Sequence, residues 1–283
     1  MVPAAPRAAT AGTSGSHPGL GGRQGDGEQG LPLCLRRARR RCSFGSMMDP
    51  VDPAVPRPRW MARPDAVLRG EEVGAGPTYL LLHAGGERRK VWAPVSEVLV
   101  GAGFRCVAYD QRGHGDSDGR PQALAPCAED IAAMLLAEPP GVVVVGASLG
   151  GLAAVAALAD PATRARVAGL VLVDVVPCLD PGRVRRFLAA GGLTGAYTLL
   201  VEDILGQVPR LRRITAELDL PVLLVHGDTG SSVTAEDIDQ LLCLAPRTTV
   251  RTVEGAGHLI AREQPAALAR TVVADTTAWH GTQ

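Results

Sequence analysis

Four consecutive valines, Val142–Val145, run directly into Gly146-Ala147-Ser148-Leu149-Gly150-Gly151 and then into an Ala-rich stretch. A run of β-branched residues with no alternation fits a strand covered on both faces. The Ala-rich segment reads as a helix over Leu149–Ala159. A strand that turns sharply into a helix through G-x-S-x-G presents the central Ser148 at the edge of a sheet. The turn is crowded, so Gly146 and Gly150 keep side chains out of it. The first N–H groups of the helix, Leu149 among them, have no helical acceptor and face developing negative charge. Alone, the five-residue pattern is weak, with roughly 0.1 chance occurrences for this composition. The strand before it and the helix after it give it weight. The plain alternative is a serine that caps an ordinary helix.

The same texture extends on both sides. Apolar runs at Thr78–His83, Cys106–Asp110, Gly141–Gly146, Val167–Asp174, Val222–His226 and Thr248–Val253 read as strands. Between them, Val91–Val100, Glu129–Ala137, Ala235–Leu244 and Gln264–Thr277 read as helices. Alternating strands and helices predict an α/β fold with a doubly wound, mostly parallel sheet. Ligands of such sheets bind at the carboxyl ends of the strands, where Ser148 falls.

The zero net charge of the 283 residues averages two unlike segments. Residues 1–64 carry ten Arg and four acids; residues 65–283 carry 19 basic and 25 acidic residues. Residues 1–64, rich in Arg, Pro and Gly, have little apolar periodicity and are expected to be a disordered N-terminal extension. Its run Arg36-Arg37-Ala38-Arg39-Arg40-Arg41 has the charge to meet nucleic acid or anionic lipid, although a solvated tail explains it as well. Translation from Met47, Met48 or Met61 would remove most of that charge. The body, residues 65–283, is acidic, which argues against nucleic acid as its partner. No run of 18 apolar residues exists, so no membrane-spanning helix is expected. The six cysteines form no C-x-x-C pair and read as reduced fillers of a cytoplasmic protein.

A serine hydroxyl is a poor nucleophile until a base takes its proton. Among six histidines, His258 stands out in Glu254-Gly255-Ala256-Gly257-His258-Leu259, a tight loop just after the last strand. That places it at the same end of the sheet as Ser148.

With these pieces the body resembles the α/β-hydrolase family, in its serine-nucleophile, esterase- and lactonase-like branch. The resemblance spans residues 65–283. It rests on His83-Ala84-Gly85-Gly86, Asp110-Gln111-Arg112-Gly113-His114-Gly115-Asp116-Ser117, the Ser148 turn, Val171-Leu172-Val173-Asp174, Val225-His226-Gly227-Asp228 and Gly255-Ala256-Gly257-His258. It implies an α/β-hydrolase fold with Ser148 as nucleophile and His258 as base. The backbone N–H groups of Gly85 and Leu149 would form the oxyanion hole. His83 and the stretch from Arg112 to Asp116 would be structural. The family's His-Gly-x-x-Asp pattern meets Gly230 where its aspartate is expected. Asp228, two residues earlier, is the favoured acid; Asp174, ending the preceding strand, is the alternative, with Glu236, Asp237 or no acid behind them.

Residues 178–220 occupy the place of the family's cap, with helices expected around Pro181–Ala190, Ala196–Leu205 and Leu211–Leu218. The short cap implies an open, mainly aliphatic pocket, with Phe187, Tyr197 and Trp92 as aromatic candidates. Arg183, Arg185, Arg186, Arg210, Arg212 and Arg213 would either attract an anionic substrate or lie on solvated helix faces. The resemblance implies a serine hydrolase of small ester, thioester or lactone substrates that needs no cofactor and no metal. The alternatives are a non-catalytic binding protein, a carbon–carbon bond hydrolase or a cofactor-free haloperoxidase on the same fold.

Overall fold

The computed structural model describes residues 54–190, 195 and 197–281. The Arg-rich run and the candidate starts Met47 and Met48 lie outside the described residues. The sheet contains β1 (Arg57–Arg63), β2 (Ala66–Gly74), β3 (Thr78–Leu82), β4 (Arg105–Tyr109), β5 (Val142–Ala147), β6 (Val167–Val173), β7 (Val222–Gly227) and β8 (Thr248–Val253). Their order is β1-β2-β4-β3-β5-β6-β7-β8. The pairs β1·β2 and β2·β4 are antiparallel, and the remaining neighbours are parallel.

The helices are α1 (Ala93–Gly101), α2 (Leu124–Leu136), α3 (Leu149–Ala157), α4 (Pro161–Arg164), α5 (Pro181–Ala190), α6 (Thr198–Gly206), α7 (Val208–Ala216), α8 (Ala235–Leu244), α9 (Ile260–Glu263) and α10 (Pro265–Thr276). The two-residue period of the strands divides their side chains between two cores. Leu80, Leu82, Val144, Leu170, Leu172 and Leu224 pack with residues of α2, α3 and α8. Tyr79, Leu81, Val143, Val145, Val171 and Val173 pack with residues of α1 and α10 on the other face. Every residue of α3 is buried, which explains its Ala- and Gly-rich composition: small side chains let the helix lie tightly on the sheet.

Three sequence expectations need correction. The expected start of the body at residue 65 falls inside a hairpin, because Arg57–Arg63 pairs residue for residue with Ala66–Glu72. This edge strand buries little and so leaves no apolar signature. Arg57 and Arg59 ion-pair with Glu72, and Arg59 also reaches the buried Glu138. The second correction concerns α2, which begins at Leu124 rather than Glu129. No local side chain caps it; the Leu124 N–H is taken by Asp203 of α6 at 2.7 Å. A cap supplied by tertiary structure, with Pro126 in the first turn, hides the start from a local reading. Third, Trp92 is fully buried in the α1–α10 core and does not line the pocket.

Between β6 and β7 stand α5, α6 and α7, each within three residues of its expected start. Among the described residues no helix is long and apolar enough to cross a membrane.

Candidate active site

The turn between β5 and α3 is strained at its centre. Ser148 has φ 47° and ψ −113°, and Asp174 at the end of β6 has φ 49°. These are the two non-glycine residues with positive φ among the described residues. Such conformations cost about 1–3 kcal/mol each and persist only where the surroundings enforce them. At the Ser148 turn the enforcement is visible. A Cβ on Gly146 would lie 2.6 Å from the Gly151 backbone, and one on Gly150 would lie 2.5 Å from the Leu82 carbonyl. Only glycine fits either place. Ser148 makes no side-chain capping bond to α3, so the helix-cap alternative finds no support.

Gly85 lies beside the start of α3: a Cβ there would touch the Leu149 side chain at 3.9 Å. Both residues line a cavity of about 570 Å³ together with Ser148 and His258. His83 at the base of this loop is fully buried. Its Nδ1 bonds the Ala84 carbonyl at 2.8 Å and its Nε2 accepts the Gln111 N–H at 2.9 Å. Burial pushes its pKa down to about 4, so the ring stays neutral near pH 7 and pins two loops together.

The two candidate acids have separate surroundings. Asp228, favoured by the loop pattern, accepts the Gly255 N–H at 2.8 Å and the Thr229 hydroxyl at 3.0 Å. It staples the loop after β7 to the loop after β8. Asp174 instead meets His258, with Oδ2 2.9 Å from Nδ1. The preference for Asp228 is therefore corrected in favour of Asp174. The reason is the fold of the Asp228–Val233 loop, which turns Asp228 outward and lays two serines on Asp174.

The carboxylate of Asp174 is fully buried and gathers several donors. The Gly227 N–H reaches Oδ1 at 3.1 Å, and the Ser232 N–H reaches Oδ2 at 3.0 Å. The hydroxyls of Ser231 and Ser232 bond Oδ1 and Oδ2. Burial alone would raise this carboxyl's pKa; the bonds from His258, Ser231, Gly227 and Ser232 outweigh burial and hold it below the ordinary value. An ionised carboxylate has no proton to give, so Nδ1 of His258 must donate to it. In a neutral ring this tautomer leaves the lone pair on Nε2. Ser232 Oγ also lies 3.1 Å from His258 Nδ1, and Phe187 of α5 packs edge-on against the imidazole at 4.8 Å between centroids. Ser231, Ser232 and the contact of Phe187 with His258 were not anticipated from sequence. Two adjacent hydroxyls in the loop that should carry the acid were the available signal.

The cavity wall is aliphatic, with Leu152, Val176, Leu179, Leu200, Val201 and Ile204 prominent. Phe187 and Tyr197 line it as expected. Arg183 lines the cavity beside its partners Thr234 and Asp237, whereas the other cap arginines lie outside it. Arg183 donates to Thr234 and Asp237, Arg185 to Glu202, Arg210 to Gln207 and Arg212 to Gln240.

Residues 79–216 match the Alpha/beta hydrolase family. Over that stretch the chain is similar to that family. A pimeloyl-[acyl-carrier protein] methyl ester esterase of Xanthomonas campestris is 29% identical over 234 residues, covering 66% of this chain and 89% of the relative. A probable protein phosphatase methylesterase 1 of Caenorhabditis elegans is 34% identical over 117 residues, 38% of this chain and 31% of that protein. Among solved structures, an esterase from Thermogutta terrifontis superposes with a TM-score of 0.63 at 23% identity, covering 79% of this chain and 99% of that one. The thioesterase domain of the curacin biosynthetic pathway gives 0.62 at 18%, covering 78% and 100%. These superpositions show the shared α/β-hydrolase fold.

Proposed function

We propose that the protein is a serine hydrolase of carboxylic esters, thioesters or lactones that works through an acyl-enzyme on Ser148. The observation that carries this reading is the pair His258 Nδ1–Asp174 Oδ2 at 2.9 Å, in one cavity with a serine held at a strained strand-to-helix turn. The similar methyl ester esterase and methylesterase support ester chemistry.

Ser148 Oγ attacks the substrate carbonyl carbon while its proton passes to His258 Nε2. The carbonyl oxygen becomes an oxyanion facing the N–H groups of Leu149 and Gly85. Collapse re-forms the carbonyl, breaks the bond to the leaving oxygen or sulfur, and sends the histidine's proton to it. Water then attacks the acyl-enzyme, giving its proton to Nε2, and the second collapse releases the acid and restores the serine. The charged imidazolium formed in each half is balanced by Asp174, which keeps the ring in the productive tautomer. The chemistry draws only on side chains and backbone of this chain. The aliphatic cavity of about 570 Å³ suits the apolar part of a small or medium-sized substrate.

The Asp174 carboxylate beside His258 favours this reading over a non-catalytic binding protein. Labelling with a fluorophosphonate probe tests the reading. Wild type should gain one adduct by intact mass and the Ser148→Ala variant none; equal labelling of both would refute it.

A further inference from the structure

The oxyanion loop continues as Glu87-Arg88-Arg89-Lys90, and its three cations have different fates. Arg89 turns inward, donating to Asp110 and Asp116. The side chains of Arg88 and Lys90, both exposed residues, have no hydrogen-bonded or ionic partner among the described residues; only their backbone carbonyls accept bonds, from Val91 and Ala93. They line a cleft of about 460 Å³ between the oxyanion loop and α9. Arg262, from α9, stands on its other side and pairs with the buried carboxylate of Glu87. The cleft thus holds three cations and one acid, on a body that carries a net negative charge.

This cleft adjoins the cavity of Ser148 and His258, because Gly86, Glu87 and Arg262 line both. The cavity itself is apolar on the side of α3 and α6, through Leu152, Leu200 and Ile204. A substrate spanning both spaces needs one apolar arm and one anionic arm. His258 must hand its proton to the leaving oxygen, so the leaving group lies against the loop that carries His258. Ala261 and Arg262, at the start of the cleft, follow His258 by three and four residues.

We propose that the cleft bounded by Arg88, Lys90 and Arg262 is a subsite for an anionic group on the leaving-group side of the substrate. The substrate class is then an ester with an apolar acyl chain and a leaving alcohol or phenol bearing a carboxylate or a similar anion. The proposal rests on the hydrolase reading above. It adds which arm of the ester carries charge and where that charge goes. Arg262 is tied to Glu87, so the unpaired Arg88 and Lys90 are the cations free to supply the selectivity.

The test uses three chromogenic esters with the full-length protein. They are 4-nitrophenyl hexanoate, 4-hexanoyloxy-3-nitrobenzoate with its carboxylate on the leaving phenol, and the 4-nitrophenyl monoester of adipic acid with its carboxylate on the acyl end. The readout is the ratio of kcat/KM for each anionic ester to that for the neutral one. In the Arg88→Ala/Lys90→Ala variant the ratio for the benzoate should fall about tenfold, the size expected for two solvent-facing cations, and the adipate ratio should stay put. The wild-type benzoate ratio should also decline as salt rises. An unchanged benzoate ratio in the double variant overturns the subsite, and so does a fall confined to the adipate ester. Hydrolysis of none of the three by folded wild-type protein would instead overturn the hydrolase reading itself, and the subsite with it.

Discussion

Two aspartates are buried at carboxyl ends of the central sheet, Asp110 after β4 and Asp174 after β6, and they are wired differently. Asp110 accepts the backbone N–H and the guanidinium of Arg89, and the Asp116 N–H. Asp174 accepts two backbone N–H groups, two serine hydroxyls and the imidazole of His258. Each carboxylate is compensated, as burial demands. What differs is the cation. Arginine does not release its proton at working pH, so the Asp110 cluster holds a fixed charge and serves as structure. Histidine gains and loses a proton near neutrality, so the Asp174 cluster can take part in a proton cycle. Donors of the Asp174 cluster come from β7, the loop behind it and the loop after β8, which is how three strand ends converge on one site.

The comparison predicts that the two clusters fail in different ways. The largest expected effect on stability is at Asp110. Replacing it by Asn leaves the mostly buried Arg89 without its central partner and should cost about 3 kcal/mol of unfolding free energy, read from urea denaturation. A loss under about 1 kcal/mol would break the contrast.

Acid should act next, and at the same end of the molecule as Asp110. His83 holds the loops of β3 and β4 together with a pKa near 4, against an ordinary value of 6.5. Below pH 6.5 the unfolded chain takes up a proton that the folded chain refuses until about pH 4. Stability should therefore fall as pH drops across that window, by about 2 kcal/mol between pH 7 and pH 4.5. His114 and His280, whose pKa values burial also lowers, act in the same direction. Asp174 acts in the same direction but in a lower window. Its lowered pKa adds stability above the ordinary carboxylate range, lost only as pH falls further through the folded value. Urea midpoints at pH 7 and pH 4.5 measure the first effect, and a His83→Gln variant should show a shallower slope. Identical slopes would remove His83 as its source.

A smaller effect sharpens the Asp174 side. Ser232 bonds both Asp174 and His258, so Ser232→Ala should lower kcat about tenfold through a less fixed imidazole. The pH dependence of kcat should move with it. A variant that loses stability while kcat and its pH profile remain unchanged would reduce Ser232 to a packing role.

The contrast also explains what was legible in the sequence. Ser148 and the three strands from β5 to β7 stand out because each is written locally, in an apolar run bounded by glycine or a polar turn. His258 is legible for the same reason, through two glycines in a short loop after the last strand. The acid is not local. Asp174 and Asp228 both end a strand, and the choice between them depends on how the loop after Asp228 folds back. Asp228 spends its carboxylate on the Gly255 N–H, while Ser231 and Ser232 turn toward Asp174. The first strand was missed on similar grounds. Its ties are backbone ladders and arginine–glutamate pairs, which carry no hydrophobic periodicity.

The central claim is that His258 carries the proton between Ser148 and the leaving group in the proposed reaction, and that Asp174, not Asp228, holds its imidazole. The most direct measurement is kcat for 4-nitrophenyl hexanoate with Asp174→Asn and Asp228→Asn, each checked for native folding by circular dichroism. The account predicts a fall of about 10³- to 10⁴-fold for Asp174→Asn and a change within about threefold for Asp228→Asn. A steep loss in the Asp228 variant beside a nearly active Asp174 variant would contradict it.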